Sequence, residues 1–191
     1  MSIISPTPSF DPGAVLPWWK DRSGLAEYLR EASLFLRGMG TRLKTGEHSR
    51  SPLRLLRFQL GEDCLWCDWI ARDPDEWDSL LPPSIGQRHA SVQALKDAID
   101  TRALLFSSLP GAERACVRGF RRTSGTSLEL ILQGELRRNS ESFRHVHSLA
   151  MRAKLLGFQF VLEDETLHGL NEPAAAQSSQ AGLSPGSRPL R

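Results

Sequence analysis

Residues 61–83 read GEDCLWCDWIARDPDEWDSLLPP and hold Cys64 and Cys67 three positions apart. Two thiols at that spacing bind zinc or run redox chemistry when both sulfurs converge, which takes a turn or a helix N-terminus. Zinc also needs four ligands, or three plus water. Cys116 is a further candidate, and the histidines are His48, His89, His145, His147 and His168. These residues form no second Cys-x-x-Cys and no His-x3-His pair. His145 and His147 lie two apart, a spacing that does not share one side of a helix, and Glu141 one turn before His145 reads as a surface pair.

The acidic run Asp73, Asp75, Glu76 and Asp78 invites a calcium reading. An EF-hand loop begun at Asp73 would need Gly at its sixth position and Glu at its twelfth. Those positions hold Asp78 and Ser84. A solvated acidic loop is the expectation. One Gly-x-Ser-x-Gly string, Gly182 to Gly186, lies in a polar tail with neither the preceding strand nor the following helix of a nucleophile elbow. The phosphate-binding Gly-x-x-x-x-Gly-Lys-Ser/Thr and the dinucleotide Gly-x-Gly-x-x-Gly are both missing. No catalytic, cofactor or metal site is therefore assigned. The place to look for an unrecognised enzyme site is the acidic loop with Trp77 and Asp78, near His89.

The elements that position these residues follow from periodicity. Residues 1–22 carry Pro6, Pro8, Pro12 and Pro17 and read as a flexible arm, with Trp18-Trp19 as its one sticky point. Residues 23–39 place Leu25, Tyr28, Leu29, Ala32, Phe35, Leu36 and Met39 at helical spacing, with Ser23 as cap. With the linker that follows, they form an appendage over 23–52. The core spans 53–170. LRLLRFQL and CLWCDWIA form a hairpin. A helix begins near Pro82-Pro83 with Ser84 and Gln87 as a capping box, and it stops by Pro110-Gly111. RACVRGFR and SLELILQGEL form a second hairpin, SESFRHVHSLAMRAKLL a second helix ended by Gly157, and FQFVLE the last strand. Residues 171–191 are polar, rich in Pro, Ser and Ala, and read as a disordered tail. The order β-β-α-β-β-α-β predicts an α+β two-layer sandwich, a mostly antiparallel sheet with helices on one face.

Along a strand the side-chain period is two, so Cys64 and Cys67 face opposite sides. If Gly61-Glu62 is a two-residue turn, Phe58 meets Leu65, Leu56 meets Cys67 and Arg54 meets Trp69. One face then carries Leu56, Phe58, Leu65, Cys67 and Trp69, and the other Cys64, Trp66 and Asp68. On that second face Arg57 lies over the Trp66 ring, with Asp68 near enough to pair its guanidinium. It is the expected docking face for a partner or for the Trp18-Trp19 arm.

Composition bounds the function. The chain has 191 residues, 40% hydrophobic and 24% charged, with a net charge of +2. That is an ordinary globular balance with no demand for a polyanionic partner. No apolar run reaches the roughly 18 residues that span a bilayer. The start lacks a basic and apolar leader, and three cysteines suit a reducing cytoplasm. Arg118, Arg121, Arg122, Arg137 and Arg138 cluster around the second hairpin, but Phe120 is the only ring among them, and single-strand binding usually uses several.

From residue 85 to 163 the α-β-β-α-β order, with LELILQGEL, a helix holding SLAMRAKLLGF and a closing strand, is similar to the small BON domain. The likeness covers under half the chain. It implies an exported, lipid- or wall-associated setting that the N-terminus does not match, so no family is assigned. KH-type folds share part of the order but carry a Gly-x-x-Gly loop that this chain lacks. The expectation is a non-catalytic protein-binding or assembly module in the cytoplasm, with partner-binding residues Arg57, Trp66, Arg118, Arg121, Arg122, Arg137 and Arg138. The alternatives are the enzyme near His89 and an RNA- or acidic-partner-binding hairpin.

Overall fold

In the computed structural model of the chain, residues 22–60, 64–123, 127–138 and 143–170 are described. The Trp18-Trp19 arm, the Gly61-Glu62 turn, Glu141 and the tail from 171 lie outside them. The elements run α1 Arg22–Arg42, β1 Arg54–Leu60, β2 Leu65–Ile70, α2 Pro83–Ser108, β3 Arg114–Arg122, β4 Leu128–Arg137, α3 Leu149–Leu155, β5 Phe158–Gln159, β6 Val161–Glu163 and β7 Thr166–His168, with a short 3-10 turn over Glu76–Leu80. No described helix is long and apolar enough to cross a membrane.

The fold is the expected α+β sandwich. Strands β1 to β5 form one sheet in sequence order, and β6 and β7 form a separate hairpin. Pairing is antiparallel except between β2 and β3, which run parallel because α2 carries the chain back between them. Leu65, Cys67 and Trp69 of β2, Ala115 and Val117 of β3, and Leu132 and Leu136 of β4 bury against Leu95, Ala98 and Leu105 of α2.

The first hairpin corrects the expected register. Phe58 pairs with Cys67 and Leu60 with Leu65, a slip of two residues from the pairing a two-residue turn would give. A slip of two keeps every side chain on its own face, so the expected core residues of β2 stay inside. Leu65 is 2% exposed, and Cys67 and Trp69 are fully buried. A bulge between Leu55 and Arg57 moves Leu56 out of the apolar row; it is exposed, and Leu55 packs on the core in its place.

The helix expected as an appendage belongs to the core. Phe35, Met39 and Leu43 join the same buried cluster, and the Phe35 ring stacks on Phe58 with centroids 4.7 Å apart. The segment after it is no free linker. Arg72 donates to the carbonyls of Leu43, Lys44 and Ser51 while paired bidentately with Asp97. The His48 N–H donates to Gln93 Oε1, and the Arg50 N–H to Asp75.

Three further expectations change. Helix α2 starts with Pro83 in its first turn and no side-chain cap, so Ser84 lies inside it; proline at that position costs no hydrogen bond. Helix α3 begins only at Leu149, because the Ser148 hydroxyl accepts the Met151 N–H and caps it there. His145 and His147 therefore sit in the preceding loop. The last strand breaks at Phe160, and Val161–Glu163 turns back on Thr166–His168 through Asp164 and Glu165, with φ of 48° and 62°. Two adjacent left-handed residues suit a tight hairpin, which usually advertises itself with Gly or Asn. Gly157, at φ 101°, is where the expected helix stop put a glycine.

Candidate functional site

Strand alternation builds two different sheet faces. The core side chains of β2 and β3 alternate with Trp66, Asp68, Cys116, Arg118 and Phe120. The parallel register sets Trp66 beside Cys116 and Asp68 beside Arg118. Antiparallel pairing then sets Gln133 beside Arg118 and Glu135 beside Cys116, and Gln159 of β5 follows Gln133. Apart from Asp68, these side chains are half-buried or exposed.

A shallow groove of about 240 Å³ lies on this face, lined by Trp66, Cys116, Arg118, Gln133, Glu135 and Gln159 among others. Gly134 lies in its floor. A Cβ there would come 2.8 Å from the Gly157 carbonyl oxygen, so the close approach of β4 and the start of β5 requires a glycine. Arg57 lies over the Trp66 ring at 5.1 Å, as the sequence predicts. Asp68 does not pair with it. Arg57 donates to Gln59 Oε1, while Arg118 takes Asp68 through Nε–Oδ1 at 2.9 Å and Nη2–Oδ2 at 2.6 Å. Both arginines register with Asp68, one from each neighbouring strand; Arg118 takes the carboxylate, while Arg57 turns to Gln59 and the Trp66 ring. The Arg118 guanidinium also reaches the Phe120 ring, 5.4 Å away. Arg114 bonds Glu135 at the rim and holds that carboxyl below the usual carboxylate range.

The thiols settle differently from the Cys-x-x-Cys pattern. Cys67 is sealed in the core, and burial pushes its thiol up. Cys64 meets Cys116 across the β2–β3 boundary, with the sulfurs 2.6 Å apart. Burial, then the hydrogen bond with Cys116, push the Cys64 thiol up to about 12. Both are free cysteines. Among the described residues no three His, Cys, Asp or Glu side chains gather as a metal site.

The five hairpin arginines are not one patch. Arg118 is on the open face. Arg121 pairs with Glu129 and donates to the Leu167 carbonyl, and Arg122 lies 3.8 Å from Asp73. Arg137 registers with Arg114, at the far end of the hairpin from Arg122, roughly 25 Å away at about 3.3 Å per residue. Arg138 donates to the carbonyls of Leu109 and Ala112 and lies over Phe106, so it ties the end of α2 down.

The other expected neighbourhood does assemble. His89 Nδ1 is 3.5 Å from Asp78 Oδ1, and the His48 ring stacks on His89 at 5.0 Å. Trp77, next to Asp78 in the chain, is 72% exposed. None of these residues lines the groove. No family model, curated protein or solved structure matches the chain.

The sequence reading missed the groove residues Gln133, Glu135 and Gln159 and the meeting of Cys64 with Cys116. Each depends on which strand lies beside which, and a helical crossover hides that.

Proposed function

We propose that the chain is a non-catalytic binding module that seats a protein partner on the open face of its sheet. The observation that carries this reading is Trp66, half-buried at the wall of a groove and capped by Arg57. Tryptophan and arginine are the residue types most enriched where binding energy concentrates. The chemistry of the groove suits a polypeptide segment with one apolar side chain against the indole and backbone groups for Gln133 and Gln159. A polyanion fits less well. Asp68 already takes Arg118, and Glu135 takes Arg114, so few cations on this face are left to displace counterions. The His89–Asp78 pair supports the enzyme alternative less, because the groove does not reach it.

The test is a photoreactive residue at Gln59, exposed beside Trp66, in the full chain expressed in cells. The expected result is one crosslinked protein that disappears with Trp66→Ala and persists with Arg88→Ala on α2. Nuclease-sensitive products would transfer the reading to nucleic acid. A product unaffected by Trp66→Ala, or no product, overturns it.

A further inference from the structure

We propose that Cys64 and Cys116 are a modification site that forms a reversible intrachain disulfide with a low-molecular-weight disulfide as oxidant. The inference does not rest on the partner reading.

The geometry comes from the sheet. Cys64 immediately precedes β2, whose first rungs pair Leu65 with Ala115 and Trp66 with Cys116. Cys64 and Cys116 therefore reach across diagonally on the open face, and their sulfurs lie 2.6 Å apart. A covalent bond of about 2.0 Å needs only a small side-chain movement. Both residues are partly exposed, so a small reagent reaches them. Cys67, the third thiol, is buried on the opposite face, which leaves a single pairing. The two cysteines are 52 positions apart in sequence, so their proximity is a product of the fold.

The chemistry balances as a thiol–disulfide exchange. One cysteine, deprotonated by solvent base, attacks the reagent disulfide; the S–S bond of the reagent breaks and one reagent thiolate leaves and takes a proton. The second cysteine, deprotonated in turn, attacks the protein sulfur of the mixed disulfide and expels the second reagent thiol. Two protein thiols are oxidised to one disulfide, and one reagent disulfide is reduced to two thiols. The high pKa of Cys64 retards any attack from that sulfur near neutral pH, so the exchange quickens as pH rises. The product ties the start of β2 to β3 beside Trp66.

The experiment equilibrates the folded full chain with oxidised and reduced glutathione, quenches in acid, blocks free thiols and maps peptides by mass. The expected result is a chain two hydrogens lighter, with Cys64 and Cys116 joined and Cys67 blocked as a free thiol. Added reduced glutathione should reverse it. The oxidised chain should melt higher by roughly 5–10 °C, as a long closed loop implies. Cys64→Ser and Cys116→Ser should each stop at a glutathione adduct, while Cys67→Ala should still close the ring. Stable adducts on both cysteines of the native chain, a bond involving Cys67, or three free thiols under conditions that oxidise a short dithiol peptide would each overturn the proposal.

Discussion

Each side of the sheet carries an arginine clasped on an aspartate, and the two pairs serve different ends. Under the helices, Arg72 meets Asp97 with both side chains 1% exposed. On the open face Arg118 meets Asp68 with the arginine 31% exposed. The contact geometry is similar: both are bidentate. The surroundings differ. Arg72 is fully occupied, with three backbone carbonyls besides its carboxylate, and Gln93 donates to Asp97 as well. Burial pushes the Asp97 carboxyl up, and Arg72 and Gln93 pull against it. A dry pair with every group satisfied locks a segment in place. On the open face the aspartate is buried but its arginine is partly in water, so that pair is weaker and more open to competition.

The two pairs should respond differently to loss of one partner. Arg72→Ala leaves Asp97 buried without its cation and three carbonyls without a donor. A loss of about 3–5 kcal/mol is expected in urea unfolding, with the segment 43–51 gaining hydrogen exchange first. The two tryptophans of β2 should differ by face: Trp69→Ala costs about 3–5 kcal/mol as a buried truncation, whereas Trp66→Ala costs about 1 kcal/mol and, on the proposed function, abolishes the crosslink from position 59. Asp68→Asn should cost less than either core change, about 1–2 kcal/mol after allowance for solvent around Arg118. A double-mutant cycle with Arg118→Gln checks whether that cost belongs to the pair.

The smallest effect is electrostatic and lies on the open face. The Cys64 thiol is raised from 9.0 to about 12 in the fold. The native state therefore keeps its proton where the unfolded chain loses it. This contribution is whole below pH 9.0 and fades as pH rises toward about 12. Urea midpoints on either side of pH 9.0 should fall with pH, and Cys64→Ser should make the fall shallower, with the buried Cys67 thiol supplying the rest. Alkylation of Cys64 near pH 8 should run at least about 100-fold slower than for an ordinary cysteine.

Local sequence was enough wherever a period of two or 3.6 decided the matter. Alternation in CLWCDWI separated Cys64 from Cys67 and put Trp69 inside and Trp66 outside, and that survived a register slip because the slip was even. The stacking of Arg57 on Trp66 came with it. Helical spacing marked the apolar side of α1, yet the same pattern serves an appendage and a core helix, so only packing could show Phe35 against Phe58. What tertiary structure alone decided was adjacency between distant segments. Helix α2 brings β3 parallel beside β2, and that one crossover joins Cys64 to Cys116 and gives Asp68 to Arg118 as well as to the strand of Arg57. A single sequence holds no trace of such a choice, because the crossover's energetics are set by surfaces buried across the whole sheet, while propensity and periodicity act within a few residues.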